Sequence, residues 1–225
     1  MTCPEFFNPI PEERAAERKR MVESQLITRG LRNKAVLQSM MAVPRHCFVP
    51  PHLQDHAYDD GPLPIGEGQT ISQPYIVALM ADALELDPGD RALDIGTGSG
   101  YAAAVLSRMV SEVYTVERYS RLAEEAVKRF RILGYDNIKV MVGDGTKGWP
   151  EEAPFDGIQV TAGAPEVPQT LFEQLRPGGR LVIPVGGMGF QELLCIEKNP
   201  DGIITRENLC AVRFVPLVGA EGWTD

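Results

Sequence analysis

Asp94, followed at every second position by Gly96, Gly98 and Gly100, and then by Glu117, is the part of this chain best suited to chemistry. Ala92 to Ile95 reads as a buried strand, Tyr101 to Met109 as a helix and Val113 to Val116 as a second strand, so Glu117 stands at that strand's carboxyl end. In an open parallel sheet this edge receives the ribose of a bound nucleotide, and one carboxylate can accept from both ribose hydroxyls. The glycines let the backbone approach a ligand with no Cβ in the way. A dinucleotide would ask for G-x-G-x-x-G, so that its pyrophosphate rests on a helix N-terminus. Here the pattern is G-x-G-x-G, and the charge of Asp94 would repel a pyrophosphate but suit a cationic ligand. S-adenosyl-L-methionine carries a sulfonium and an ammonium group and no phosphate, and fits that description.

A third strand, Ile138 to Val142, ends on Gly143-Asp144-Gly145. The Asp144 carboxylate can accept from the exocyclic amine of adenine, and the Gly145 amide can donate to a ring nitrogen. Local roles stay open beside these: Asp94 as a cap of the helix at Tyr101, and Asp144 as the holder of a turn.

The elements that must position these groups alternate in the βαβ manner. A charged amphipathic helix, Pro11 to Thr28, stops at Gly30, and a second, Asn33 to Ala42, ends before Pro44. Pro50 to Gly68 is rich in Pro, Gly, Asp and His and reads as a long functional loop. Pro74 to Leu86 is a helix with proline in its first turn and Ser72 or Gln73 as N-cap. After the first two strands come a helix from Ser120 to Leu133, the third strand, a fourth strand from Asp156 to Thr161 and a helix from Pro168 to Leu175. Pro177-Gly178-Gly179 turns into a fifth strand, Arg180 to Val185. Glu192 to Glu197 and Cys210 to Val215, around Asn199-Pro200-Asp201-Gly202, form a hairpin. The fold class is α/β: a doubly wound, mostly parallel, Rossmann-like sheet with an N-terminal helical extension and an antiparallel C-terminal edge. Residues 1–225 form a single domain, with helices and a substrate loop over 1–70 and the cofactor-binding core and hairpin over 71–225.

Composition narrows the partners. A net charge of −9 with no basic cluster argues against nucleic acid, and no membrane-length apolar run or signal peptide is present. Arg14, Arg18, Lys19 and Arg20 alternate with Glu12, Glu13, Glu17 and Glu23, as on a solvated helix face. Cys3, Cys47, Cys195 and Cys210 show no C-x-x-C spacing and no disulfide framework, and Cys195 and Cys210 lie in apolar runs. A reducing cytoplasm is the expected setting. His46, His52 and His56 lack helical metal-ligand spacing, so no metal is expected. An NAD-dependent dehydrogenase is disfavoured by the glycine spacing and by Asp94.

With these residues in place the chain resembles the protein-L-isoaspartate O-methyltransferase family from about residue 15 to about residue 223. Besides the glycine segment, the resemblance is carried by Val43-Pro-Arg-His-Cys-Phe-Val-Pro50, Gly68-Gln-Thr-Ile-Ser-Gln-Pro74 and Leu175-Arg-Pro-Gly-Gly-Arg-Leu-Val-Ile-Pro-Val-Gly186. The glycine segment and the Pro-Gly-Gly turn are shared by many methyltransferases; the Thr-Ile-Ser-Gln-Pro and Val-Pro-Arg pieces are the specific ones.

The resemblance implies methyl transfer from S-adenosyl-L-methionine to the free carboxyl of L-isoaspartyl residues in damaged proteins and peptides. The ester then closes to a succinimide, which reopens partly to normal aspartate. It implies Ser72 as the active-site residue, and a cofactor site drawing on Thr70, Ile71, Ser72 and Gln73 ahead of the core. Within the core it implies Asp94, Gly96, Thr97, Gly98 and Gly100, then Glu117 and Arg118, Gly143, Asp144 and Gly145, and Thr161. The substrate cleft would lie between Tyr58 to Gly68 and Thr161 to Pro168, where Gly163 replaces the usual alanine and loosens the loop. Val218 stands where some relatives place a cofactor-contacting threonine. The expected enzyme is a cytoplasmic monomer with isoaspartyl peptides and proteins as partners and neither nucleic acid nor membrane. The alternatives are a methyltransferase of another carboxylate, including a small acid, and an inactive nucleoside-binding module.

Overall fold

The computed structural model describes residues 13–199, 201 and 203–224. Five parallel strands, β3 (Arg91–Ile95), β4 (Glu112–Glu117), β5 (Ile138–Val142), β6 (Phe155–Val160) and β7 (Leu175–Gly187), are joined by β8 (Phe190–Lys198) and β9 (Ile204–Val212). Their order in the sheet is β5-β4-β3-β6-β7-β8-β9, with β8 and β9 antiparallel. The chain leaves β3 outward to β4 and β5, then returns to β6 on the other side of β3. The reversal opens a crevice above the carboxyl ends of β3 and β6, where such sheets bind ligands.

Alternate residues of the central strands serve two cores, as the two-residue period of a strand demands. Ala92 and Val113 join one core with α3 (Pro74–Ala83), α4 (Tyr101–Leu106) and α5 (Ser120–Leu133). Leu93, Ile95 and Val116 join the other, near α6 (Gln169–Glu173). This is the doubly wound sheet expected from the sequence, and α5 and β5 have the expected bounds. Helix α5 stops because Gly134 adopts φ 71°, a left-handed cap that an L side chain disfavours.

Four local readings need correction. The N-terminal helix is not continuous: α1 (Ala15–Met21) passes into a wide π-turn at Val22–Leu26 and a 3₁₀ turn at Ile27–Arg29. The widened turn helps bring Met21, Val22 and Leu26 to the same core; Pro11 and Glu12 of the expected helix lie outside the described residues. The second helix, α2 (Lys34–Ala42), starts as read, with the Asn33 side chain accepting from the Ala35 and Val36 amides.

Pro50 to Gly68 is not a structureless loop. It holds a 3₁₀ segment at Pro51–His56 and strand β1 (Leu63–Gly66), which pairs with β2 (Gln69–Ile71). The glycines read as loop residues make this hairpin's turn, with Gly66 at φ 101° and Gly68 at φ 69°, while Ile65 and Ile71 are buried. Pro177-Gly178-Gly179 lies within β7 as a bulge: Phe155 pairs with Leu175, and Gly157 already with Arg180. Finally, β9 ends at Val212 because the Phe214 amide donates to the Gln191 side chain at 2.8 Å instead of to β8. Residues 213–215 thereby leave the sheet. Of the expected turn before β9, Pro200 and Gly202 lie outside the described residues.

The segment carrying Val43 to Pro50 is held by buried polar contacts. Arg45 is fully buried, donates to the Ala57 carbonyl at 2.7 Å and lies 4.8 Å from the Tyr101 ring at the start of α4. The Tyr58 hydroxyl and His46 Nδ1 are 2.7 Å apart. Burial, with Arg14 and Arg18 nearby, pushes the His46 imidazole down to about 4, so it is neutral at physiological pH. Cys195 and Cys210 are free thiols, and Cys195 is buried.

Candidate active site

The loop after β3 descends to the switch crevice through glycines that have steric reasons to be there. Gly96 has φ 98°, and a Cβ on it would stand 2.6 Å from the Thr161 hydroxyl that follows β6. Gly100 has φ 91°, and a Cβ there would meet Phe130 of α5 at 2.7 Å. Between them the Gly98 amide donates to Glu117 at 2.8 Å, and the Tyr119 amide donates to the same carboxylate at 2.9 Å. Glu117 is 5% exposed and its position is fixed by these two bonds before any ligand arrives.

A first cleft lies here. Gly96, Gly98, Glu117, Arg118, Gly145, Thr161 and Thr70 line it, all read from the sequence as cofactor residues. Ile95, Val116 and Leu217 add apolar wall, and Val218 is also part of the lining. The combination fits a nucleoside: a carboxylate for ribose hydroxyls, apolar surface for a base, and a backbone cradle that a Cβ would fill.

Not every expected cofactor residue reaches this cleft. Asp94 lies behind the loop, fully buried, accepting from Thr115 at 2.8 Å and from Gln159 at 2.9 Å. Burial pushes its carboxyl up to about 6 against those two hydrogen bonds, which leaves a largely ionised carboxylate at neutral pH beneath the glycines. Thr97 is buried, with its hydroxyl 2.7 Å from that of Thr115. Gly100 and Ile71 shape the site from outside it. Asp144 holds a turn: it accepts from the Thr146 amide and hydroxyl and from the Ala220 amide, tying the C-terminal segment to the end of β5. Burial alone would raise its pKa, but these bonds hold it below the ordinary carboxylate value. Gly143 precedes it without lining the cleft, and the Gly145 backbone does reach it.

A second cleft shares Thr70, Thr161 and Val215 with the first, so the two meet at those side chains. Ser72, Gln73, Phe190, Arg213 and Phe214 continue its walls. Ser72 and Gln73 therefore belong to this second cleft. The N-cap of α3 is Gln73, whose side chain makes no capping bond and instead donates to Asp60 at 2.7 Å. Ser72 is half-buried and its hydroxyl makes no hydrogen bond with the described residues, so the helix-cap role is excluded for it. The Thr161 hydroxyl donates to the Ile95 and Gly96 carbonyls at 3.0 and 2.8 Å, which locks the junction.

The loop after β6 is pinned rather than loosened at Gly163. Its amide donates to Val215 and its carbonyl accepts from Leu217 and from the Trp223 indole. A Cβ at this position would press on the Gln191 side chain at 3.0 Å.

Sequence reasoning missed Gln69, Tyr119, Phe190 and Arg213 through Leu217 as lining residues. Tyr119 could have been found from its place two residues after Glu117, where its amide can turn back onto the carboxylate. Residues 213–217 carried one signal, Pro216, which cannot continue a ladder.

The family profile for protein-L-isoaspartate(D-aspartate) O-methyltransferase matches residues 16–222. A protein-L-isoaspartate O-methyltransferase of Pelotomaculum thermopropionicum is 65% identical over 95% of this chain and 93% of its own length. A protein-L-isoaspartate O-methyltransferase 2 of Pelobacter propionicus is 56% identical over 99% of this chain and 97% of its own. Among solved structures, one named protein-L-isoaspartate O-methyltransferase superposes with a TM-score of 0.80 at 32% identity, covering 91% of this chain and 67% of that one. A Plasmodium falciparum protein described as an enzyme of this kind, in complex with S-adenosyl-L-homocysteine, superposes with a TM-score of 0.75 at 30% identity over 89% of this chain and 98% of that one.

Proposed function

The chain belongs to the protein-L-isoaspartate(D-aspartate) O-methyltransferase family, and from that premise we propose that it methylates the free carboxyl of L-isoaspartyl residues in damaged proteins and peptides, initiating their repair through a succinimide. The methyl donor is S-adenosyl-L-methionine, which supplies an electrophilic methyl group and a thioether leaving group.

The meeting of two clefts beside an unpartnered serine hydroxyl is the observation that carries the reading. Glu117 and the glycine backbone hold a nucleoside on one side of Thr70 and Thr161, and the second cleft admits an acceptor on the other. The Ser72 hydroxyl donates a hydrogen bond to one oxygen of the acceptor carboxylate and leaves the second oxygen free to be held in line. Among the described residues lining the two clefts there is no histidine, and the one carboxylate, Glu117, is engaged by two amides. A protonated amine or a hydroxyl would need a base there. A carboxylate, with an ordinary pKa near ~4, arrives already ionised. The chain's contribution is thus positioning and the exclusion of water, and Ser72 need not become covalently modified.

A cytoplasmic monomer that uses neither nucleic acid nor membrane is part of the same proposal. The net charge of −9 supports it by disfavouring phosphate backbones and anionic lipid headgroups.

The test is transfer of labelled methyl from S-adenosyl-L-methionine to a short isoaspartyl peptide, beside the same peptide with ordinary aspartate. Label on the first alone is the expected result. Equal labelling of both, or labelling of a small carboxylic acid in preference to either, would move the substrate to another carboxyl. Cofactor binding without transfer to any carboxyl would leave a nucleoside-binding module.

A further inference from the structure

Beyond the junction, the second cleft opens between the turn that joins β7 to β8 and the chain that follows β9. Its walls there are neutral: Pro62, Gly189, Phe190 and Phe214, with Met188 on the adjoining rim. Met188 is 71% and Phe190 64% exposed, a large apolar surface on a chain with 44% hydrophobic residues and ample charge elsewhere. Among the described residues lining this cleft and its extension toward Trp223, Arg213 is the sole charged side chain. It is exposed and makes no hydrogen bond or ion pair with the described residues. The acid that approaches the cleft from the loop before β1, Asp60, is already engaged by Arg29 and by Gln73.

An unpartnered cation in a neutral groove is the reverse of what the rest of the protein offers, with its net charge of −9. At physiological ionic strength the screening length is about 8 Å, so a peptide in the groove feels Arg213 more than the distant surface carboxylates. The guanidinium presents a planar fork that suits a carboxylate bidentately.

We infer that Arg213 makes the cleft prefer isoaspartyl peptides bearing a second carboxylate close to the isoaspartate. The inference rests on the proposed methyl transfer. The second carboxylate can be the side chain of a neighbouring Asp or Glu or the peptide's own C-terminus, and Arg213 recognises the chemistry the two share.

The test is kcat/KM for a panel of isoaspartyl hexapeptides in which Glu, Gln or Lys occupies each position from two before to three after the isoaspartate. Each peptide is made with a free and with an amidated C-terminus, which separates the two sources of the carboxylate. The intact enzyme is expected to favour Glu over Gln by about 2- to 5-fold at positions on one side of the isoaspartate, the size typical of an ion pair with solvent access. Raising the salt concentration shrinks the ratio. In Arg213→Gln the Glu-to-Gln ratio falls to about one, and in Arg213→Glu the preference turns to Lys. The ratio is read within each variant, so a general change in rate does not affect it. Equal rates for Glu and Gln peptides with the intact enzyme overturn the inference, as does a preference that survives in Arg213→Gln. If no isoaspartyl peptide is methylated, the proposed function fails first and this inference falls with it; methylation of the neutral peptides without discrimination sinks the inference alone.

Discussion

A hydroxyl that sits two residues before a helix yet caps nothing is available to another partner. Ser72 is in that position, because Gln73 takes the N-cap place of α3 and then turns its amide to Asp60. A hydrogen bond from Ser72 to a charged carboxylate has a typical worth of about 1.5–3 kcal/mol. Ser72→Ala should therefore lower kcat/KM for an isoaspartyl peptide about 10- to 100-fold. Binding of S-adenosyl-L-methionine, followed by calorimetry, should be nearly unchanged, since Ser72 lines the second cleft and not the first. Equal loss of cofactor affinity would mean that Ser72 shapes the nucleoside side instead. At this scale the sequence was informative wherever a residue acts through its own strand end, as Glu117 does. It left Asp144 open between an adenine contact and a turn, and could not show that its two oxygens are taken up by Thr146 and by Ala220, 76 residues further along the chain.

Among the elements, the turn from β3 into α4 bears the tightest constraint. Gly100 combines a positive φ with a neighbour, Phe130, that leaves no room for a methyl group. Gly100→Ala should cost about 1–3 kcal/mol from backbone strain and overpacking together. For a chain of this length that is a fall in Tm of roughly 2–10 °C. Adding Phe130→Leu should recover the overpacking part only, so the double variant should melt above Gly100→Ala by less than the full deficit. Strictly additive losses in melting experiments would show that the contact with Phe130 is not the cause. The hairpin of β1 and β2 was missed for a related reason. Its turn glycines carry the composition of a loop, and only the pairing of Leu63 with Ile71, Pro64 with Thr70 and Gly66 with Gln69 makes it a strand pair. That hairpin delivers Thr70 to the junction of the clefts and Ser72 to the wall beyond.

For the molecule as a whole, two buried groups oppose each other as the pH falls. His46 is held neutral down to about 4, against an ordinary value of 6.5. Its contribution to stability is full above about pH 6.5 and is lost as the pH falls through about 4. Asp94, raised from 3.8 to about 6, acts in the opposite sense: it favours folding below about pH 4, and that gain is lost as the pH rises through about 6. Each amounts to about 3 kcal/mol at the full extent of its window. Between pH 7 and pH 4 the two nearly cancel. Urea midpoints measured across this range should show a steeper loss toward acid in Asp94→Asn than in the parent, and a shallower one in His46→Gln. Parallel curves for all three proteins would show that neither group is buried as strongly as its surroundings require.

The sequence alone determined the order and type of the core elements, the glycine turn after β3 and the place of Glu117 at the carboxyl end of β4. Each depends on hydrophobic period, turn chemistry or spacing within some 25 residues, and those are local properties. The tertiary structure decided which groups meet. Thr161 locks the loop after β3 from 65 residues away, Gln191 ends β9 by taking the Phe214 amide, and the freed segment brings Val215 to the junction and Arg213 to an otherwise uncharged groove. These contacts follow from the reversal of strand order at β3 and from where a ladder stops. Both are set by competition among distant partners for the same backbone donors and the same core, and no local pattern records the outcome of that competition.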